Sequence, residues 1–142
     1  MYDISQVQSE YKTKLIDADF AASLVKSNYR LHFGVGTGSS IYMDRALGKR
    51  LKTDTLLRGL EIQTEVAVRN DLLETFKATR DVDTVRFYSS HYTGMDRMMA
   101  DAGNCWYVPI LFNEEPLYWG QEGNGFDICC IQVAPMDRYG NF

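Results

Sequence analysis

Long apolar runs are missing from this chain. None approaches the ~20 residues that a membrane-spanning helix requires, so no membrane partner is expected. Excess positive charge is missing too: 15 Lys and Arg stand against 19 Asp and Glu, for a net charge of −4. Nucleic acids and anionic membranes select a basic footprint, and the densest basic cluster here is only Lys49-Arg50. No nucleic-acid partner is expected. Histidine is rare, with two residues, and cysteine scarcely commoner, with three (Cys105, Cys129 and Cys130). Neighbouring cysteines almost never pair with each other and no Cys-x-x-Cys spacing occurs, which excludes a disulfide framework and a zinc knuckle. The thiols read as buried small hydrophobes in a reducing cytosol. The polar start Met1-Tyr2-Asp3-Ile4-Ser5 lacks the charged-then-apolar order of a secretion signal, which again points to the cytoplasm.

What remains is ordinary globular composition, 45% hydrophobic and 24% charged over 142 residues, enough for one core. There are no repeats and no Pro/Gly-rich linkers, so no internal boundary is expected. A short helix is expected over Glu10–Leu15. Asp17 is a suitable N-cap for a second over Ala18–Lys26, with Asn28 in its exit turn. Arg30–Gly34 alternates as a strand does. It runs into the loop Gly34-Val35-Gly36-Thr37-Gly38-Ser39-Ser40 and then a helix over Ile41–Leu51, with Ser39 or Ser40 as cap. Further on, strands are predicted over Leu56–Ile62, Val85–Tyr88 and Trp106–Ile110, and helices over Leu72–Thr79 and Gly94–Ala102, with Gly103 just past the end of the last. The nearly continuous apolar run Asp127–Val133 suits a strand covered on both faces. Alternating strands and helices predict an α/β fold with an open, mainly parallel sheet and helices on both faces. Such sheets bind ligands at the carboxyl ends of their strands. Three loops occupy those positions: Gly34–Ser40, Ser89–Gly94 and Pro135–Gly140.

The glycine loop invites comparison with a dinucleotide fingerprint, since Gly34-x-Gly36 follows a strand and precedes a helix. The third glycine would fall at position 39, which is Ser39, and the acidic residue expected ~20 positions on could only be Glu61. The loop equally suits close approach of a substrate or cofactor chain to the backbone, or a turn needed only for geometry. His32, inside a strand, reads as structural. His91 follows Ser89-Ser90 at a strand's carboxyl end and is a candidate site residue. Glu114-Glu115-Pro116 either supplies an acid or opens a helix. No nucleophile, base and orienting group can be assembled from spacing. Two distant histidines without paired ligands give no expectation of a metal.

Several segments together resemble the acetyl-CoA hydrolase/transferase family, and within it the butyryl-CoA:acetate CoA-transferases. They are Glu10-Tyr11-Lys12-x-Lys14-Leu15, Ala18-Asp19, Leu24-Val25-Lys26-Ser27, Asp44-x-Ala46-Leu47-x-x-Arg50 and Leu57-Arg58-Gly59. They continue with Ser90-His91-x-x-Gly94-x-x-Arg97-x-Met99-x-x-x-Gly103, Tyr107-x-Pro109-Ile110, Glu115-Pro116, and Gln132-Val133-Ala134-Pro135-Met136-Asp137-x-x-Gly140-x-Phe142. The resemblance implies an N-terminal CoA-transferase domain over residues 1–142. It also implies a ping-pong reaction in which a glutamate attacks an acyl-CoA thioester, becomes a glutamyl-CoA thioester, and passes CoA to a carboxylate. Family members carry that glutamate in their C-terminal half. None of Glu10, Glu61, Glu65, Glu74, Glu114, Glu115 and Glu122 falls in a matching segment, so no catalytic residue is assigned. The chain also stops inside its most specific matching segment, with no polar fade-out, so truncation is expected, with the catalytic C-terminal domain absent.

On this resemblance the chain builds one wall of an acyl and carboxylate pocket. The candidates are Gly36, Thr37 and Gly38, then Ser90 and His91, and Pro135, Met136 and Asp137. Coenzyme A enters as a substrate, and no permanently bound cofactor is expected. The expected partners are short-chain acyl-CoA, a carboxylate, the protein's own C-terminal domain and a second copy in a homo-oligomer. Acyl-CoA hydrolysis by the same family, or a non-catalytic binding or assembly module, are the competing readings. Taken alone, the chain is expected to be inactive.

Overall fold

The computed structural model describes residues 3–68 and 72–142; Met1 and Tyr2, part of the stretch read for a signal, lie outside them. Asp3 accepts the N–H groups of Ser5 and Gln6 and so caps α1, Ile4–Lys14. Asp17 caps α2, Ala18–Ser23, through the N–H of Phe20 at 2.7 Å. Strand β1, Arg30–Val35, leads through a 3-10 turn at Gly36–Gly38 into α3, Ile41–Thr53. The chain continues as β2 (Leu60–Glu65), α4 (Glu74–Ala78), β3 (Val85–Ser89), α5 (Gly94–Asp101), β4 (Trp106–Tyr107), α6 (Glu115–Trp119) and β5 (Ile128–Cys129). All strand pairs are parallel, in the order β4-β3-β2-β1-β5. The direction of winding reverses between β1 and β5, which makes the carboxyl end of β1 the switch point where doubly wound sheets bind ligands.

Side chains two apart on a strand share a face, and here the faces differ sharply. Leu31 and Phe33 of β1, Leu60 and Ile62 of β2, and Val85 and Phe87 of β3 all point into one apolar cluster. Ala22 and Val25 join it from α2 and the turn after it, Leu47 and Leu51 from α3, and Met95 and Met99 from α5. Phe76 of α4 sets its ring edge-on to Phe87 at 5.4 Å. The opposite face carries Arg30 and His32, Glu61, Gln63 and Glu65, and Arg86 and Tyr88. Among the described residues, only the short α6 lies over that face, where Trp119 packs on Phe126 and Phe126 on His32. Helices therefore cover both faces, as expected, but unequally.

Differences from the sequence reading have physical causes. Asp127–Val133 is not a doubly covered strand: β5 has two residues at the sheet's edge, and Ile131 and Val133 are exposed. Cys129 is correspondingly exposed; Cys105 is the buried thiol, which burial pushes up to about 11. Helix α3 begins after Ser40, yet neither serine caps it through its side chain. The Ser39 hydroxyl donates instead to the Gly36 carbonyl at 2.8 Å. Strand β2 starts at Leu60 rather than Leu56, because Gly59 (φ +71°) turns the chain against Asn28. Strand β4 stops at Tyr107.

Asp44 shows how the helical layer is locked. Its carboxylate, 1% exposed, accepts the N–H of Glu74 and of Thr75 at 3.0 Å and the Thr75 hydroxyl at 2.8 Å. One residue of α3 thus caps the first turn of α4, where free N–H groups and the helix dipole favour a negative charge. Arg50, a turn and a half along α3, closes the end of α2 by donating to the carbonyls of Ala22 and Val25 at 2.7 and 2.8 Å. Replacing Asp44 with Ala strands three donors, two of them buried. The expected loss is about 2–4 kcal/mol, read as a lower midpoint in urea unfolding with an unchanged slope.

Candidate functional site

The site begins with a break in β1. His32 pairs with Gln63 and Val35 with Glu65, so one extra residue is accommodated between them. Gly34 permits this with φ +82°, and a Cβ there would collide with the Gly38 carbonyl. Such a bulge re-aims side chains. Val35 is carried from the apolar face to the polar one, beside Glu65. The same bulge directs the Gly34 N–H at His32 Nδ1, 3.1 Å away. An accepting Nδ1 puts the neutral ring's proton on Nε2, which faces Glu65 Oε1 at 3.6 Å.

Glu65 is the buried centre of this end of the sheet, with its side chain 0% exposed. Oε1 receives the Ser90 hydroxyl at 3.3 Å and Gln63 Nε2 at 3.5 Å, while Gln63 also donates to Ser90 at 2.8 Å. Oε2 has no partner. Glu115, on the first turn of α6, comes in from above with its side chain 12% exposed, and its Oε1 faces His91 Nδ1 at 3.6 Å. Burial pushes the Glu65 carboxyl up, but hydrogen bonding and charge from His32, with Glu115 and Gln63, outweigh it and hold the group below its ordinary value. Glu115 has no comparable donors. Burial, then the charge of Glu65, push it up to about 7. Of the two neighbouring carboxyls, the one without donors keeps the proton.

These groups border a cleft of about 330 Å³ at the carboxyl ends of β1, β2 and β5. Its polar side is His32, Glu65, Glu115 and Cys129; its apolar side is Val35, Phe112, Pro116, Trp119 and Phe126. Among the sequence candidates, Ser90 donates to Glu65 and His91 faces Glu115, though neither lines the cleft itself. Gly36, Thr37 and Gly38 form the turn just beyond Val35, where the Gly38 carbonyl is taken by the Gln132 N–H at 2.8 Å. Pro135, Met136 and Asp137 lie elsewhere. Met136 lines a separate groove with Tyr11, Leu15 and Phe142, and Asp137 holds its own turn through the N–H groups of Tyr139 and Asn141. Glu61 gives no support to a dinucleotide site: it sits near the amino end of β2, paired with Arg30 at 2.9 Å. His32, Glu65 and Glu115 were not singled out by spacing. They meet through strand register and through α6, and no local pattern marks that. The only sequence signal was Glu115-Pro116, an acid at a helix start.

The chain matches the Acetyl-CoA hydrolase/transferase N-terminal domain family over residues 1–142. It is 32% identical over 135 residues to the butyryl-CoA:acetate CoA-transferase of Anaerostipes caccae, covering 95% of this chain and 29% of that protein. It is 28% identical over 130 residues to the 4-hydroxybutyrate coenzyme A transferase of Clostridium kluyveri, covering 92% and 29%. Among solved structures, RipA from Yersinia pestis superimposes with a TM-score of 0.70 at 23% identity, over 96% of this chain and 32% of that one, a likeness of fold. The chain thus spans about three-tenths of the length of these relatives. Among the described residues, no helix is long and apolar enough to cross a membrane.

The Glu115 carboxyl sets a pH dependence. Its folded value of about 7 lies above its ordinary 4.5, so the stability it contributes is complete below 4.5 and is lost as pH rises towards 7. In chelator-treated protein, thermal stability should fall from pH 5 to pH 8, and E115Q should fall less. Parallel decline of the two curves would show that Glu115 is not the titrating group.

Proposed function

Because the chain belongs to the acetyl-CoA hydrolase/transferase family, we propose that the whole protein transfers coenzyme A from a short-chain acyl-CoA of the butyryl type to acetate or a similar carboxylate. The observation that carries this reading is the identity of 32% over nearly the entire chain to a butyryl-CoA:acetate CoA-transferase. The cleft is compatible in size and chemistry. At about 330 Å³ it sits at the small end of the ~300–1,000 Å³ typical of small-molecule sites. That suits a few carbons of acyl chain against Val35, Phe112, Trp119 and Phe126.

In this reading the chain shapes the acyl and carboxylate pocket, and the nucleophile is a glutamate outside it. That glutamate takes the acyl group from CoA, then holds CoA as a glutamyl thioester until the acceptor carboxylate arrives. Ionised Glu65 repels an acceptor carboxylate from the buried floor. The acceptor's charged end then stays towards the mouth, where the thioester would be, and its apolar end meets the aromatic wall.

The test is product analysis by HPLC with the whole protein, butyryl-CoA and acetate. Acetyl-CoA should form in step with loss of butyryl-CoA. Release of free CoA independent of acetate would instead favour hydrolysis, and no turnover of any short acyl-CoA would sink the proposal. Residues 1–142 alone should give no turnover. Val35→Phe, which fills the cleft from a strand end, should raise KM for butyryl-CoA by about tenfold or more and affect acetyl-CoA less.

A further inference from the structure

Glu65, His91 and Glu115 each offer one ligand atom, and those atoms all lie within 4.8 Å of one another. Glu65 Oε2, His91 Nδ1 and Glu115 Oε1 are buried and have no hydrogen-bond partner. An unpartnered buried polar atom costs about 1–3 kcal/mol. Three of them converging from β2, the β3–α5 loop and α6 call for an occupant that accepts several lone pairs at once. A proton satisfies two carboxyls at most. A divalent cation satisfies all three.

We propose that Glu65, His91 and Glu115 bind a divalent transition-metal ion, with zinc the best fit to one imidazole and two carboxylates, and that its open position faces the cleft. Zinc bonds of ~2.0–2.1 Å set tetrahedral ligand atoms about 3.3 Å apart, and His91 Nδ1 and Glu115 Oε1 stand at 3.6 Å. Glu65 is fully buried and fixed from behind by Ser90 and Gln63 on its other oxygen. His32 adds a further restraint, since its Nε2–H side faces that same oxygen. Carboxylate ligands held by outer donors in this way are characteristic of built metal sites. Three protein ligands and one open position make a site that binds an exchangeable ligand rather than a closed structural one. Because Glu65 and Glu115 themselves line the cleft, that ligand would enter through it; a neutral oxygen donor such as water suits the ion. The inference stands on the side-chain cluster and does not depend on the transferase reading.

Isothermal titration of the full chain with zinc chloride at pH 7.5, after EDTA treatment and desalting, tests it directly. One equivalent should bind, with Kd of about 10 μM or tighter, and zinc should raise the melting temperature. E115Q and H91A should each weaken binding by about tenfold or more while keeping the wild-type circular dichroism. Cobalt(II) in place of zinc should give d–d bands without a thiolate charge-transfer band. Absence of zinc binding at about 100 μM, or unchanged affinity in both variants, would overturn the proposal. So would a thiolate band, which would place the ion on Cys129 or Cys130.

Discussion

A parallel sheet whose middle strand is buried on both faces has to reconcile polar side chains with the loss of water, and β2 is where this fold meets that constraint. Leu60 and Ile62 face the helices; Glu61, Gln63 and Glu65 face the other way and are half-buried to fully buried. Each of the three has a partner on a neighbouring strand or the loop beyond it. Arg30 meets Glu61, Ser90 meets Gln63, and His32, Gln63 and Ser90 surround one oxygen of Glu65. A buried carboxylate with such donors is tolerable, whereas one without them is not. The polar face is thus satisfied from its amino end upward until the last residue of β2, where one oxygen is left over. The cleft opens at that residue.

Several residues within the segments that match the family do a different job. Asp44 and Arg50 cap helices other than their own. Gly59 passes where any side chain would strike Asn28. Asp96 accepts from Thr93 at the start of α5 and from the Thr64 hydroxyl, which ties that helix to β2. These residues hold the helical layer in register with the sheet, and none of them reaches the cleft.

That division explains what could be read in advance. Periodicity and caps are local properties, so α2, α3, α5 and the three central strands were legible, as was the parallel α/β class. The run Asp127–Val133 misled because apolar composition reports neither how far pairing extends nor that one face of an edge strand is left open. Ser90 and His91 could be placed at a strand's carboxyl end from sequence, after β3. Their partners could not: Glu65 lies 25 residues before Ser90 and meets it through the β2–β3 register, and Glu115 arrives on a short helix after an irregular segment. The bulge at Gly34 was equally hidden, since with Ser39 at the third glycine position the nearby glycines suited a close approach or a simple turn.

The bulge also decides what kind of site the cleft can be. Continued alternation would have left Val35 on the helical face, and the space beside Glu65 would have been polar all round. Shifted by one residue, Val35 instead joins Phe112, Trp119 and Phe126 opposite two carboxyls and one imidazole. Anything bound there has to offer an apolar part to one wall and compensate negative charge on the other. Anything that covers the cleft excludes water and lowers the local dielectric, which makes two neighbouring carboxylates still harder to keep ionised together. Closure would therefore strengthen the demand of this pair for a proton or a cation, so that occupancy of the cleft and the charge state of Glu65 and Glu115 are necessarily linked.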